Sequence, residues 1–119
     1  MKSARVMIVD DDRDLAESLA ELIEMHGHKV SIASNGKEAL ERFHQQDFDV
    51  TFMDVRMPVM NGVESCLAIK QVKPDARIVM MTGSREPTSL RPAILAGAEG
   101  PLLKPFSIKE MLQIVQAAG

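Results

Sequence analysis

Apolar residues fall along this chain in two alternating rhythms. The first is a short unbroken run, Arg5 to Asp10 (RVMIVD), closed by acids and too short and β-branched for a helix, which predicts a buried strand. The second follows at once. Leu15, Leu19, Leu22 and Ile23 recur at i, i+4, i+7 and i+8 with acids between them, predicting an amphipathic helix from about Arg13 to His26 that stops at Gly27.

The same pair of rhythms then repeats. Val30 and Ile32 alternate with polar residues as a second strand, Asn35 and Gly36 turn the chain, and Ala39, Leu40 and Phe43 mark one helical face. Val50 to Asp54 (VTFMD) reads as a third strand, Met57 to Gly62 (MPVMNG) as a Pro/Gly loop, and Val63, Cys66 and Leu67 as a helix that stops near Pro74. Arg77 to Thr82 (RIVMMT) predicts a fourth strand and Leu102 to Lys104 a short fifth one, broken by Pro105. A fourth helix fits between Thr88 and Ala96. Pro92 sits inside it with Pro87 just before, so it is expected to be short or to start late. Ile108, Met111, Leu112 and Val115 form the core stripe of a last helix, with Ser107 as its cap.

Strands that alternate with helices, four of them near-continuously apolar, predict a doubly wound α/β fold: a five-stranded parallel sheet covered on both faces by five helices. The flavodoxin-like strand order 2-1-3-4-5 would put the fifth strand on an edge, where Pro101 is tolerated. At 119 residues, residues 1–119 are expected to form a single domain.

Composition narrows the function. Hydrophobic residues make up 45% and charged residues 26%, which excludes intrinsic disorder. No apolar run approaches the roughly 20 residues of a membrane span, so no membrane insertion is expected. No secretory pattern follows Met1, so the expected compartment is cytoplasmic. The net charge of −3, with neither Trp, Tyr nor a basic run, argues against direct nucleic-acid contact. The single cysteine, Cys66, is expected in the core, and His26 and His28 on the surface rather than around a metal.

In doubly wound sheets ligands bind at the carboxyl ends of the strands, so the residues closing each strand carry the chemistry. Here Asp10, Asp11 and Asp12 end the first strand, Asp54 the third, Thr82 the fourth and Lys104 the fifth. Each alone has a structural explanation: Asp12 or Asp14 as a helix cap, Thr82 as an ordinary strand threonine, Lys104 as a solvated end residue. Four strand ends carrying matching polar groups make a stronger case together. Carboxylates about 5 Å apart repel by roughly 3 kcal/mol per pair at an effective dielectric of about 20, so the cluster needs compensating positive charge. Oxygen-only ligands favour Mg²⁺, with Mn²⁺ a possible substitute. A carboxylate facing a metal, an ammonium and a hydroxyl is equipped to accept a phosphoryl group, and Asp54 is the best-placed nucleophile.

These residues resemble the receiver domain of two-component response regulators, through VDDD at Val9 to Asp12, DVRMPVMNG at Asp54 to Gly62, the strand-ending Thr82, and KPF at Lys104 to Phe106. The resemblance spans essentially the whole chain. It implies that Asp54 takes phosphate from the phosphohistidine of a sensor histidine kinase or phosphotransfer protein. It further implies that Mg²⁺ is held by Asp11, Asp54 and the main-chain carbonyl of Arg56, with Asp10 acting largely through water. Lys104 would hold a phosphoryl oxygen, and Thr82 would draw its loop inward to switch the surface offered to an output domain or partner. Arg56 and Ser84 would tune the lifetime of the phosphoryl group, and the Lys104–Pro105 peptide would be cis. The domain would catalyse only its own phosphorylation and dephosphorylation. One departure stands out: Pro101 occupies the position where receivers usually carry an aromatic residue, so the usual coupling of threonine to aromatic ring cannot run through it.

Other classes fit less well. A phosphatase of the haloacid dehalogenase type needs a second acid where this chain has Arg56, and no G-x-G-x-x-G or P-loop sequence follows the first strand as a nucleotide-binding module would need. A receiver-like module that docks partners without phosphorylation is the remaining alternative.

Overall fold

The computed structural model describes residues 3–56, 60–83, 90–104 and 107–118. Its elements alternate strictly: β1 (Arg5–Val9), α1 (Arg13–Glu24), β2 (Lys29–Ala33), α2 (Gly36–Gln45), β3 (Val50–Asp54), α3 (Gly62–Val72), β4 (Ile78–Thr82), α4 (Arg91–Leu95), β5 (Glu99–Leu103) and α5 (Ile108–Ala118). The strands form one parallel sheet in the order β2-β1-β3-β4-β5, the expected topology. The central strands β3 and β4 are buried at every residue, which is why they are apolar apart from Thr51 and the polar residues that close them, Asp54 and Thr82. The edge strand β2 is only half-buried along most of its length.

Alternation along the strands sorts the core into two layers. Met7, Val9, Met53, Ile78 and Met80 face α2, α3 and α4, where they meet Phe43, Cys66, Ile69 and Ala93. Val6, Ile8, Phe52, Val79 and Met81 face α1 and α5, where they meet Leu19, Ile23, Met111 and Val115. Cys66 is buried as expected.

Local chemistry starts the helices. Asp12 caps α1 by accepting the Leu15 N–H at 3.1 Å, settling which aspartate does so. Asn35, read in the sequence as part of a turn, also caps α2 by accepting from Glu38, and Asn61 caps α3 by accepting from Glu64. Ser107 and Glu110 exchange hydrogen bonds across the first turn of α5, a capping box. Helix α4 spans only five residues with Pro92 in its first turn, the short, late-starting helix expected from the two prolines.

Two expectations change. Strand β5 begins at Glu99 rather than Leu102 and ends at Leu103, so Lys104 follows the strand. The reason lies in pairing: Val79 aligns with Glu99 but Met81 with Leu102, so β5 bulges by one residue. Gly100 and Pro101 occupy the bulge, where a missing N–H leaves no ladder bond unmade. Gly100 adopts φ +108°, and a β-carbon there would lie 2.8 Å from the Met80 carbonyl oxygen, so glycine is required on both counts. Gly100–Pro101 is the cis peptide among the described residues; the Lys104–Pro105 peptide lies outside them. Finally, His26 is exposed as expected but His28 is buried, its Nδ1 accepting the Ala4 N–H at 3.0 Å. Its place just before β2 turns its ring inward to a backbone donor that no sequence pattern reveals.

Candidate functional site

Parallel strands deliver their closing residues to one edge of the sheet, and here those residues are polar. Asp10 follows β1, Asp54 is the last residue of β3, Thr82 the last of β4, and Lys104 follows β5. Backbone bonds lock them in step: Asp10 N–H donates to Ala33 O, Val55 N–H to Met81 O, and Lys104 N–H to Thr82 O.

The side chains converge. The Lys104 ammonium donates to Asp10 Oδ2 at 2.9 Å and to Asp54 Oδ1 at 3.2 Å. Asp10 Oδ1 accepts the Asp12 N–H at 2.9 Å, which fixes the Asp10 carboxylate at the turn into α1. Asp10, Asp54 and Thr82 are all buried, whereas Asp11 is exposed. Each of Asp10, Asp11 and Asp54 offers a carboxylate oxygen within 4.8 Å of the others. A cavity of about 310 Å³ opens beside them, lined by Asp54, Arg56, Thr82, Gly83 and Lys104.

Electrostatics follow from this crowding. Burial, then repulsion from Asp10, hold the Asp54 carboxyl above the ordinary carboxylate range, and the pull of Lys104 does not offset them. Burial works against the Lys104 charge, but hydrogen bonds and attraction from Asp10 and Asp54 hold its ammonium above the usual lysine value. One ammonium therefore serves two buried acids, and a third stands nearby. All donors are carboxylate oxygens, which suits a hard divalent cation and no softer one.

Asp10, Asp11, Asp54, Thr82, Lys104 and Arg56 are thus gathered at this edge as the sequence predicts. Ser84 lies outside the described residues. Pro101 sits back in the β5 bulge, half-buried. Sequence reasoning missed Gly83, which lines the cavity, and the intimate role of Gly62, which it placed only in a loop. Gly62 donates its N–H to Val55 O at 2.9 Å and packs directly on the Asp54 main chain. The one signal for it was the glycine at the end of the Pro/Gly stretch.

Comparison with known proteins bears on this geometry. A family model described as the response regulator receiver domain matches residues 6–116. The response regulator MprA of Mycobacterium ulcerans is 38% identical over 116 residues, 97% of this chain and 50% of that protein. A response regulator receiver protein of Anaeromyxobacter is 37% identical over 110 residues, 92% of this chain and 46% of that protein. The chain therefore spans about half the length of the curated relatives it matches. Among solved structures, chemotaxis protein CheY4 of Vibrio cholerae superposes with a TM-score of 0.89 at 31% identity, covering 99% of this chain and 100% of its own. The response regulator TrrA of Thermotoga maritima, in complex with Mg²⁺ and beryllofluoride, superposes with a TM-score of 0.85 at 28% identity, covering 98% of this chain and 99% of its own.

Proposed function

The chain belongs to the receiver-domain family of response regulators, the phosphoacceptors of two-component signalling, and from this we propose that Asp54 is the residue that takes the phosphoryl group. The observation that carries the reading is the placement of Asp54: buried at the end of β3, 3.2 Å from the Lys104 ammonium, beside a cavity lined by Thr82. The donor is the phosphohistidine of a sensor histidine kinase or phosphotransfer protein. As an Asp54 oxygen bonds to phosphorus, the phosphorus–nitrogen bond breaks and its electron pair stays with the departing imidazole.

Each neighbour has a part. Lys104 neutralises a phosphoryl oxygen and keeps Asp10 compensated at the same time, and the Thr82 hydroxyl donates a hydrogen bond to a second phosphoryl oxygen. Asp10, Asp11, Asp54 and the main-chain carbonyl of Arg56 would hold Mg²⁺, or Mn²⁺ in its place. When bound there, the ion supplies the positive charge that three crowded carboxylates and an incoming phosphoryl group require. Arg56, at the cavity wall, and Ser84 govern how readily water reaches the phosphoryl group and so set its lifetime.

Residues 1–119 act in this reading as one domain that catalyses only its own phosphorylation and dephosphorylation. Its output is a changed surface. Thr82 follows the phosphoryl group inward, and with proline at 101 the movement passes to β5 through the Lys104 N–H to Thr82 O bond rather than through an aromatic side chain. The receiver of that change is an output domain or a separate protein, and the domain itself does not touch nucleic acid, in keeping with its acidic balance. It works in the cytoplasm, where its donor kinase presents phosphohistidine; no described helix is long and apolar enough to cross a membrane.

Incubation with Mg²⁺ and acetyl phosphate, followed by intact-mass spectrometry, tests the reading. The wild-type protein gains a base-labile phosphoryl adduct, and Asp54→Asn or a chelator abolishes it. Absence of an adduct, together with failure of beryllofluoride to trap an altered form, would overturn the reading in favour of a module that docks without phosphorylation.

A further inference from the structure

We infer that Gly62 is a positioning residue for the phosphoacceptor, an inference that rests on Asp54 accepting the phosphoryl group. Gly62 is the first residue of α3 and is buried. A β-carbon at this position would lie 2.1 Å from the Asp54 carbonyl oxygen and 2.9 Å from both the Asp54 carbonyl carbon and Val55 Cα. All three atoms belong to the peptide that joins Asp54 to Val55, so no side-chain rotation makes room. Gly62 does not adopt a left-handed φ, so the need for glycine here is steric and not conformational.

The consequence reaches the carboxylate. Restoring an ordinary 3.4 Å separation from the Asp54 carbonyl oxygen requires a relative shift of about 1.3 Å between α3 and the end of β3. Helix α3 is poorly placed to retreat: Ser65, Cys66 and Ile69 are fully buried, and Asn61 caps its first turn. Much of the shift therefore falls on the Asp54 peptide, one bond from the Cα that carries the reacting carboxylate. A displacement near 1 Å at a reacting group costs about 10²-fold in rate.

Gly36 supplies the contrast. It opens α2, it is equally buried, and a β-carbon there would also collide, but with Ser65 Oγ at 1.5 Å, Ser65 Cβ at 2.8 Å and Met60 O at 3.0 Å. Two of these three atoms are side chain, and Ser65→Gly removes both. A Gly36→Ala substitution thus strains the same pair of helices without pressing on the Asp54 peptide.

The test compares wild type, Gly62→Ala, Gly36→Ala and Gly36→Ala/Ser65→Gly. Initial phosphorylation rates are read over a range of acetyl phosphate concentrations up to saturation with Mg²⁺, unfolding free energies in urea, and the Asp54 ¹³Cγ resonance without metal. Gly62→Ala is expected to lose about 10²-fold in kcat with KM for the donor little changed, and to shift the metal-free Asp54 resonance. Gly36→Ala is expected to lose stability, to recover it with Ser65→Gly, and to keep both its rate and its Asp54 resonance. A Gly62→Ala protein with wild-type kcat and an unmoved resonance would overturn the inference, whatever its stability, because α3 would then have yielded instead. If Gly62→Ala is unfolded in buffer, trimethylamine N-oxide restores the folded population and the same two readouts decide. Should wild type itself take no phosphoryl group, the acceptor reading falls, while the metal-free resonance still decides whether Gly62 positions Asp54.

Discussion

Replacing Asp54 with asparagine is expected to stabilise the metal-free protein, and the acidic cluster sets the size of the effect. Its carboxylate oxygens lie within 4.8 Å of one another, so each pair repels by at least about 3.5 kcal/mol at an effective dielectric of about 20. The substitution removes two such repulsions, from Asp10 and from the exposed and therefore better screened Asp11. It also removes the attraction to Lys104 at 3.2 Å, worth about 5 kcal/mol on the same scale. These nearly cancel, and the remaining weight lies with burial, the largest cause of the raised Asp54 pKa. Ionised Asp54 thus costs folding stability, and asparagine should recover about 1–2 kcal/mol in a chelator at neutral pH.

The sign with pH follows from the direction of the shift. A carboxyl whose folded pKa is raised binds its proton more tightly in the folded state. Stability therefore falls as pH rises above the ordinary value of 3.8 through the raised one. The gap between wild type and Asp54→Asn should accordingly be widest at neutral pH and close as pH falls toward 3.8. Mg²⁺ should reverse the order, since an ion at about a hundred times its Kd adds about 2.7 kcal/mol to the protein that binds it. Urea denaturation with chelator and with Mg²⁺, at several pH values, measures all three effects. An asparagine variant less stable than wild type by more than about 1 kcal/mol in chelator would refute the reasoning, because the Lys104–Asp54 bridge would then outweigh burial and repulsion.

Three further outcomes are expected. Arg77 grips Glu99 with two hydrogen bonds, at 2.6 and 3.0 Å, and Ile114 O at 3.3 Å, pinning the start of β5 and α5 to β4. An Arg77→Met/Glu99→Gln double-mutant cycle in urea should give a coupling of about 0.5–1 kcal/mol at neutral pH that fades in high salt. Because Glu99 sits below the ordinary 4.5, that coupling is present above 4.5 and lost as pH falls through the depressed value. Phe43→Ala should cost about 3–5 kcal/mol by the same assay, since Phe43 is buried and packs edge-to-face on Phe48 at 5.2 Å. Leu95→Ala, at a residue 80% exposed, should cost little.

Much of the site was legible because its residues close strands. A strand-ending acid needs no knowledge of its neighbours: in a parallel sheet, every strand delivers its last residue to the same edge. Thus the type and strand-end position of Asp10, Asp54, Thr82 and Lys104 are enough to bring them together, and β3 runs over the predicted Val50 to Asp54. What escaped depended on atoms brought across the fold. The inward turn of His28 answers to the Ala4 N–H, and the demands on Gly36, Gly62 and Gly100 answer to Ser65, to the Asp54 peptide and to the Met80 carbonyl oxygen.

By itself the sequence determined the alternation of elements, the two-sided sheet and the chemistry of its carboxyl edge, because apolar periodicity and residue type act locally. The tertiary structure alone decided the rest. It chose which two acids share the Lys104 ammonium, and it bulged β5 so that Pro101 needs no ladder partner. It also seated α3 on the main chain of Asp54 so closely that only glycine fits. Each of these is a distance that no local sequence pattern sets, and such distances exist only once both hydrophobic layers have packed.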